Sequence, residues 1–168
     1  MYTLGLHKDP IDEELKTRTS EMAVGKERVR GQLDAQGRAY GTGRRKASVA
    51  RVYVQPCTVE GESQFTVNKM PLSEYFDLAH LRETALDPLG VTDTLGKYDV
   101  RCTVKGGGLS GQAGAIRLGL ARALQIFDEE KFRPVLKEYG FLTRDPRVVE
   151  RKKPGKKGAR ASFQWVKR

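Results

Sequence analysis

The chain has 168 residues, with 31 Lys and Arg against 21 Asp and Glu, a formal charge of +10 at pH 7 and a sequence pI near 9.8. This length fits one domain with appendages, and the charge argues for a polyanionic partner, nucleic acid before an anionic membrane surface. There is no apolar run near the ~18 residues of a transmembrane helix and no secretory apolar core behind Met1. Cys57, Cys102, His7 and His80 give no metal-ligand spacing.

Residues 1–39 form a compositional block of their own, with seven acids and seven bases. That balance also sets the block apart from a typical transit peptide. Pro10 followed by Ile11, Asp12, Glu13, Glu14 and Leu15 reads as a helix start, with proline early and acids in the first turn. The helix is expected to run to about Arg30 and to fray at Gly31 and Gly37. Its apolar stripe (Ile11, Leu15, Met22, Val29) is thin. It is therefore either a solvated extension or a helix resting on a partner protein or RNA.

The body opens at Tyr40. Ser48 to Val54 alternates, with Ala50, Val52 and Val54 on one face and Val49, Arg51 and Tyr53 on the other, the pattern of a half-buried strand. Just before it, Gly41 and Gly43 precede a run of Arg44, Arg45 and Lys46. Glycine lets backbone N–H groups approach a phosphate and arginine grips one with two donors; the plain alternative is a solvated strand end. Residues 64–68 read as a second strand, expected to form a hairpin with the first. Pro71 suits a first helical position, with Leu72, Tyr75 and Phe76 behind it, and a short helix over about Ala79 to Leu86 should stop before Pro88. Tyr75, Phe76 and Leu81 read as core.

Tyr98 to Val104 alternates cleanly: Tyr98, Val100, Cys102 and Val104 point one way, Asp99, Arg101 and Thr103 the other. This strand feeds Lys105, Gly106, Gly107 and Gly108, and a helix is expected from there to about Phe127. Ile116, Leu120, Leu124 and Phe127 share one stripe, and Ala113, Gly114, Ala115, Gly119 and Ala121 let the helix approach a sheet closely. A last helix is expected from Arg133–Pro134 to Tyr139, closed by Gly140. The G-x-G-x-x-G at Gly106, Gly108 and Gly111 matches a dinucleotide-binding fingerprint in letters only. No strand follows its helix to complete a βαβ unit, and no Gly-Lys-Ser/Thr makes it a phosphate-binding loop of the nucleotide hydrolases. Glycine N–H groups at a helix N-terminus still make an anion site, and that anion can be an RNA phosphate. No catalytic constellation, small-molecule substrate or cofactor is expected; Ser110 has no evident base partner in the sequence.

From Arg144 to Arg168 there are ten Lys or Arg against Asp145 and Glu150, so this segment carries +8 of the chain's +10. Pro146, Pro154, Gly155 and Gly158 interrupt any helix. A segment so basic and so poor in apolar residues buries too little to order itself and needs a polyanion. Phe163 and Trp165 either stack on bases or pack against a neighbouring protein.

Three stretches, YGTGRRKASVARV, VKGGGLSGQAGAIRLGLARAL and GFLTRDPRVVERKK, resemble in order and spacing the signature segments of the bacterial-type small-subunit ribosomal protein nine family. The resemblance spans about Tyr40 to Arg168. TLGKYDVRCTVKGGG and the ending KKPGKKGARASFQWVKR are similar to the mitochondrial versions of plants and algae. The resemblance implies an α+β fold: a small mixed, four-stranded sheet with helices on one face and a left-handed βαβ crossover, like the second domain of ribosomal protein five, plus an extended basic tail. Three strands are plain, and the fourth lies either around Val91 to Leu95 or over Tyr40 to Arg45. The implied division is a partly helical extension over 1–39, a folded body over 40–140 and an RNA-binding tail over 141–168.

The implied role is structural, in the head of the small subunit, among neighbouring head proteins and not at a membrane. Ribosomal RNA would be bound by Arg44, Arg45, Lys46, Lys105, Gly106, Gly107, Gly108, Arg144, Arg147, Arg151, Lys152, Lys153, Lys156 and Lys157. Lys167 and Arg168 would touch P-site tRNA, although Trp165 and Val166 replace the Phe-Ser that usually precedes them. The implied location is the mitochondrial matrix, with a plastid or the bacterial cytoplasm as alternatives.

Overall fold

The computed structural model describes residues 33–57 and 63–165. The helix expected over residues 11–30 lies outside the described residues, as do Lys167 and Arg168.

Strand β1 (Ala39–Arg45) and strand β2 (Ser48–Pro56) form an antiparallel hairpin in which Arg45 faces Ser48, leaving Lys46 and Ala47 as the turn. Lys46 takes a left-handed φ of 50° there, which matches the twist of a two-residue hairpin. Of the two positions considered for a further strand, the chain uses the one before β2; residues 91–95 hold a helix end and a turn. Strand β3 (Phe65–Val67) and the two-residue β4 (Met70–Pro71) precede strand β5 (Tyr98–Lys105). The sheet order is β1-β2-β5-β3-β4. β2 and β3 therefore do not pair, contrary to the expected hairpin. β5 lies between them and offers β2 an eight-residue antiparallel partner, whereas β3 has only three residues and runs parallel to β5.

The crossover from β3 to β5 passes through β4, helix α1 (Leu72–Tyr75) and helix α2 (Ala79–Val91). α2 continues past Pro88, where the sequence suggested a stop. Pro88 sits in the last turn and is fully buried, so its packing offsets the one backbone hydrogen bond it cannot donate. The helix ends on threonines instead. The Thr92 hydroxyl donates to the Pro88 carbonyl at 2.7 Å and meets the Thr94 hydroxyl at 2.7 Å.

Helix α3 (Leu109–Phe127) lies across β1 and β2, and α2 and helix α4 (Glu129–Glu138) pack against it. α4 begins four residues earlier than expected because Asp128 caps it, accepting the Lys131 N–H at 2.9 Å, with Glu129 and Glu130 favourably placed in the first turn. It closes as a Schellman motif: Gly140 has φ +71°, its N–H reaches the Lys137 carbonyl, and the Phe141 N–H reaches Leu136.

One core joins Val52, Val54, Val100 and Cys102 of the sheet with Leu81 and Leu89 of α2, Ile116, Leu120 and Leu124 of α3 and Leu136 of α4. The alternation predicted for β2 and β5 is present, with one face buried under helices and the other exposed or half-exposed. Gly41 and Gly43 are not presented to solvent. Both are buried under α3, where a Cβ on Gly43 would stand 1.8 Å from the Ala115 carbonyl oxygen and one on Gly41 2.0 Å from that of Gly119. The close approach that these glycines permit is to another backbone, not to a phosphate.

Candidate nucleic-acid interface

One end of the body gathers three segments: the β1–β2 turn, the glycine turn after β5, and the root of the C-terminal tail. The glycine turn is built for this crossing. Gly106 and Gly107 both have positive φ, 74° and 65°. A Cβ on Gly107 would lie 2.1 Å from Ser48 Oγ, and one on Gly106 2.8 Å from the Ala47 carbonyl oxygen. The Ser48 hydroxyl, otherwise buried, donates to the Gly106 carbonyl at 3.0 Å. The hairpin turn and the glycine turn are thus locked together. Gly108 is the N-cap of α3 and supplies no side-chain cap, so the first-turn N–H groups remain available to an anion.

A polar chain supports the turn from below. Gln112 in the first turn of α3 donates to the Gly106 carbonyl at 3.2 Å and accepts from Tyr75 Oη at 2.8 Å. Asn68 donates to the Tyr75 oxygen at 3.4 Å. It also pairs with the backbone of Val104 in both directions, accepting its N–H at 2.9 Å and donating to its carbonyl at 3.1 Å. The Asn68 side chain therefore continues the ladder one step past the end of β3 and fixes β5 just before Lys105. The sequence carries no signal for this role, because a side chain imitating a backbone leaves no periodicity.

Arg44 and Lys105 lie on one cross-strand row, opposite each other across Val49, and both are exposed. Lys46 is exposed at the turn. Arg45 differs from its neighbours. It turns under the hairpin to lie against Gly114 of α3, where a Cβ would come within 2.3 Å of Arg45 Cδ, and its Nη2 stands 3.5 Å from Asp145 Oδ2. Its side chain is only 21% exposed. Asp145 also accepts from the backbone N–H and the guanidinium of Arg147 at 2.9–3.2 Å. The Arg147 side chain above all, then its backbone N–H, holds the Asp145 carboxyl well below the usual carboxylate range.

The last contacts of the tail with the body are at its root. Phe141 and Leu142 pack on the core, and the Arg117 guanidinium sits 5.2 Å from the Phe141 ring. From residue 143 to 165 there is neither helix nor strand, and Arg144, Arg147, Arg151, Lys152, Lys153, Lys156 and Lys157 are all exposed. One local structure interrupts this stretch. Lys153, Pro154, Gly155 and Lys156 make a turn closed by the Lys156 N–H to the Lys153 carbonyl at 3.3 Å, with Gly155 at φ +70°, the arrangement of a Pro-Gly type II turn. Glu150 and Arg160 clasp its base, with Arg160 Nη2 2.6 Å from Glu150 Oε1. Trp165 is 83% exposed and Phe163 62%.

Among the described residues no group of three or more His, Cys, Asp or Glu is placed to hold a metal, and no helix is long and apolar enough to cross a membrane. Cys102 is buried, and burial pushes its thiol far above the usual range.

An α+β body that gathers exposed cations and a glycine turn at the root of a basic tail has the chemistry to meet the phosphates of a polynucleotide. The chain belongs to the ribosomal protein S9/S16 family, whose model matches residues 43–168. It is thereby a structural, RNA-binding component of the ribosome and not an enzyme. It is 57% identical over 145 residues to the small ribosomal subunit protein uS9m of Arabidopsis thaliana, covering 86% of this chain and 32% of that protein. It is likewise 57% identical over 128 residues to the small ribosomal subunit proteins uS9 of Borrelia hermsii and Borrelia turicatae, covering 76% of this chain and 90% of each. The chain thus spans about a third of the length of the plant relative and nearly all of the bacterial ones.

Proposed function

We propose that this protein is a constituent of the small ribosomal subunit, seated in its head among other head proteins, whose tail tip contacts P-site tRNA. The observation that carries the reading is the family match, which runs to residue 168 and so includes the whole basic tail. In this reading residues 40–140 are the docking body, residues 141–168 the RNA-binding tail and residues 1–39 an added extension. In this reading the crossover from β3 to β5 is left-handed, as the resemblance to the family implies.

Arg44, Lys46, Lys105 and the Gly106–Gly108 turn face ribosomal RNA at the docking end. Arg45 serves that interface mainly by holding Asp145 and thereby aiming the tail, and its remaining donors face the same RNA. Arg144, Arg147, Arg151, Lys152, Lys153, Lys156 and Lys157 neutralise backbone phosphates along the path. Contacts of this kind position a protein without reading sequence. Lys167 and Arg168 then meet phosphates common to all tRNAs, so the tip steadies P-site tRNA of any identity. The mitochondrial matrix is the proposed location. It is supported by the similarity of TLGKYDVRCTVKGGG and of the tail ending to the plant and algal mitochondrial versions, and by the greater length aligned with the plant relative.

The test is a high-salt sucrose gradient of a lysate expressing either the full chain or a chain lacking Lys167 and Arg168. Both are expected to sediment with the small subunit, with the shortened chain retaining P-site tRNA less well. A chain left at the top of the gradient overturns the ribosomal seat, and equal tRNA retention overturns the role of the tip.

A further inference from the structure

The sheet face turned away from the helices is neither covered by described residues nor neutral. Its outward positions are fixed by register. Arg44, Val49 and Lys105 share one row, Thr42, Arg51 and Thr103 the next, and Tyr40, Tyr53, Arg101 and Thr66 the third. Arg44, Arg51, Arg101 and Lys105 are exposed. Tyr40 and Tyr53 lie side by side with ring centroids 5.0 Å apart, and the Arg38 guanidinium sits 5.5 Å from the Tyr53 ring.

Among the described residues the acid on these strands of the face, Asp99, is already engaged by the Gln64 N–H at 2.9 Å and the Gln55 amide at 3.4 Å. Beside it a cleft opens between Arg38, Tyr53, Gln55, Gln64, Asp99 and Arg101. Arg38 Nε, on the wall of this cleft, is buried and has no hydrogen-bond partner. A buried donor without an acceptor is costly, and an acceptor supplied from outside would satisfy it.

We propose that this open sheet face is a second RNA-binding surface, continuous with the docking end at Arg44 and Lys105 and separate from the tail, on which an RNA backbone runs from Lys105 across Arg51 and Arg101 toward Arg38. The proposal rests on the ribosomal RNA reading above and names a further surface for the same partner. Charge selects the occupant. Among the described residues, five cations stand against one engaged carboxylate and the paired Asp34 and so complement a polyanion, whereas residues 1–33 of this chain, with six acids and six bases, offer no net opposite charge. Across the rows named above this face carries no Leu, Ile, Met, Phe or Trp. Its exposed groups are arginine, lysine, threonine and tyrosine, which contact phosphate, ribose and base faces.

The test compares three full-length chains binding a small-subunit rRNA transcript over a range of salt: the parent, Arg51→Ala/Arg101→Ala, and the tail variant Lys152→Gln/Lys153→Gln. The parent should show a steep log–log slope. Removing two phosphate contacts from the sheet face should make the slope shallower by roughly 1.5, with unchanged circular dichroism and melting temperature. Ultraviolet cross-linking of the parent should join RNA to peptides containing Tyr40 or Tyr53. If the tail variant loses slope and the sheet-face variant does not, the second surface is overturned while RNA binding stands. If the parent itself titrates flat, both readings fall together.

Discussion

Arg45 and Asp145 are one hundred residues apart in sequence and 3.5 Å apart in space. Their contact joins the first hairpin of the body to the first charged residues of the tail. Around it Phe141 is covered by Arg117, and Gly140 turns the chain out of α4. The tail therefore leaves the body in a set direction although nothing beyond its root is packed on the core. Replacing Arg45 with alanine is expected to speed tryptic cleavage at Arg144 and Arg147 while leaving the melting temperature of the body nearly unchanged. Equal cleavage rates would show that Phe141 and Leu142 alone hold the root.

The same carboxylate sets a pH dependence. Asp145 is held below the usual carboxylate range by Arg147 first. A depressed acid contributes stability that is fully present above its unfolded pKa, near 3.9, and withdrawn as pH falls through the folded value. The amide resonance of Arg147, whose N–H donates to Asp145, should hold still from pH 6 to about 4 and move only below that. Movement between pH 6 and 4 would contradict the geometry.

Gly43 tolerates no side chain. A Cβ 1.8 Å from a helix carbonyl cannot be relieved by rotation, and Gly43→Ala is expected to cost about 3 kcal/mol. Gly90, exposed near the end of α2, is the contrasting case. Nothing lies within 4 Å of its missing Cβ, so Gly90→Ala should stabilise by about 0.5–1 kcal/mol. Urea unfolding of the two variants beside the parent measures both signs at once.

Asn68→Ala removes both hydrogen bonds to Val104 and leaves alanine at a left-handed φ of 51°. A loss of about 1–2 kcal/mol is expected, with faster amide exchange at Val104 and Lys105. Asn68→Asp keeps the acceptor and loses the donor, so it should restore only part of the stability. Recovery to the level of the parent would remove the argument that the side chain replaces a strand residue.

The Cys102 thiol should resist alkylation in the folded protein and react once the chain is unfolded. Burial raises its pKa, so as pH climbs past about 8.5 the unfolded state ionises first and the fold loses stability. Rapid labelling of native Cys102 would mean that β5 opens locally.

Much of this architecture was legible in the residues because it is periodic or strongly charged. Tyr98 to Val104 reads as a strand from alternation alone, and the tail reads from its cations. What escaped had no periodic trace. Glycine answers two demands with one letter, and Gly41 and Gly43 answer the approach of a helix, not of a phosphate. Arg44 and Arg45 are adjacent and chemically identical, yet strand alternation sends one to solvent and the other beneath the hairpin. Pro88 obeys the rule that proline ends helices less than it obeys the core that buries it. β2 and β3 looked like neighbours because they are consecutive, but a partner made later in the chain takes the place between them.

The backbone contact between β1 and α3 also bears on synthesis. Gly41 and Gly43 are made first, and the carbonyls that cover them belong to residues more than seventy positions later. Closing so long a loop is slow compared with forming the hairpin. In the interval the inner side of β1 presents Ala39, Gly41, Gly43 and Arg45, mostly bare main chain with little greasy to seize a wrong partner. On β2 the same inner face carries Ala50, Val52 and Val54, so the half-built hairpin keeps one apolar strip open, on one strand only, until the helix that completes it arrives.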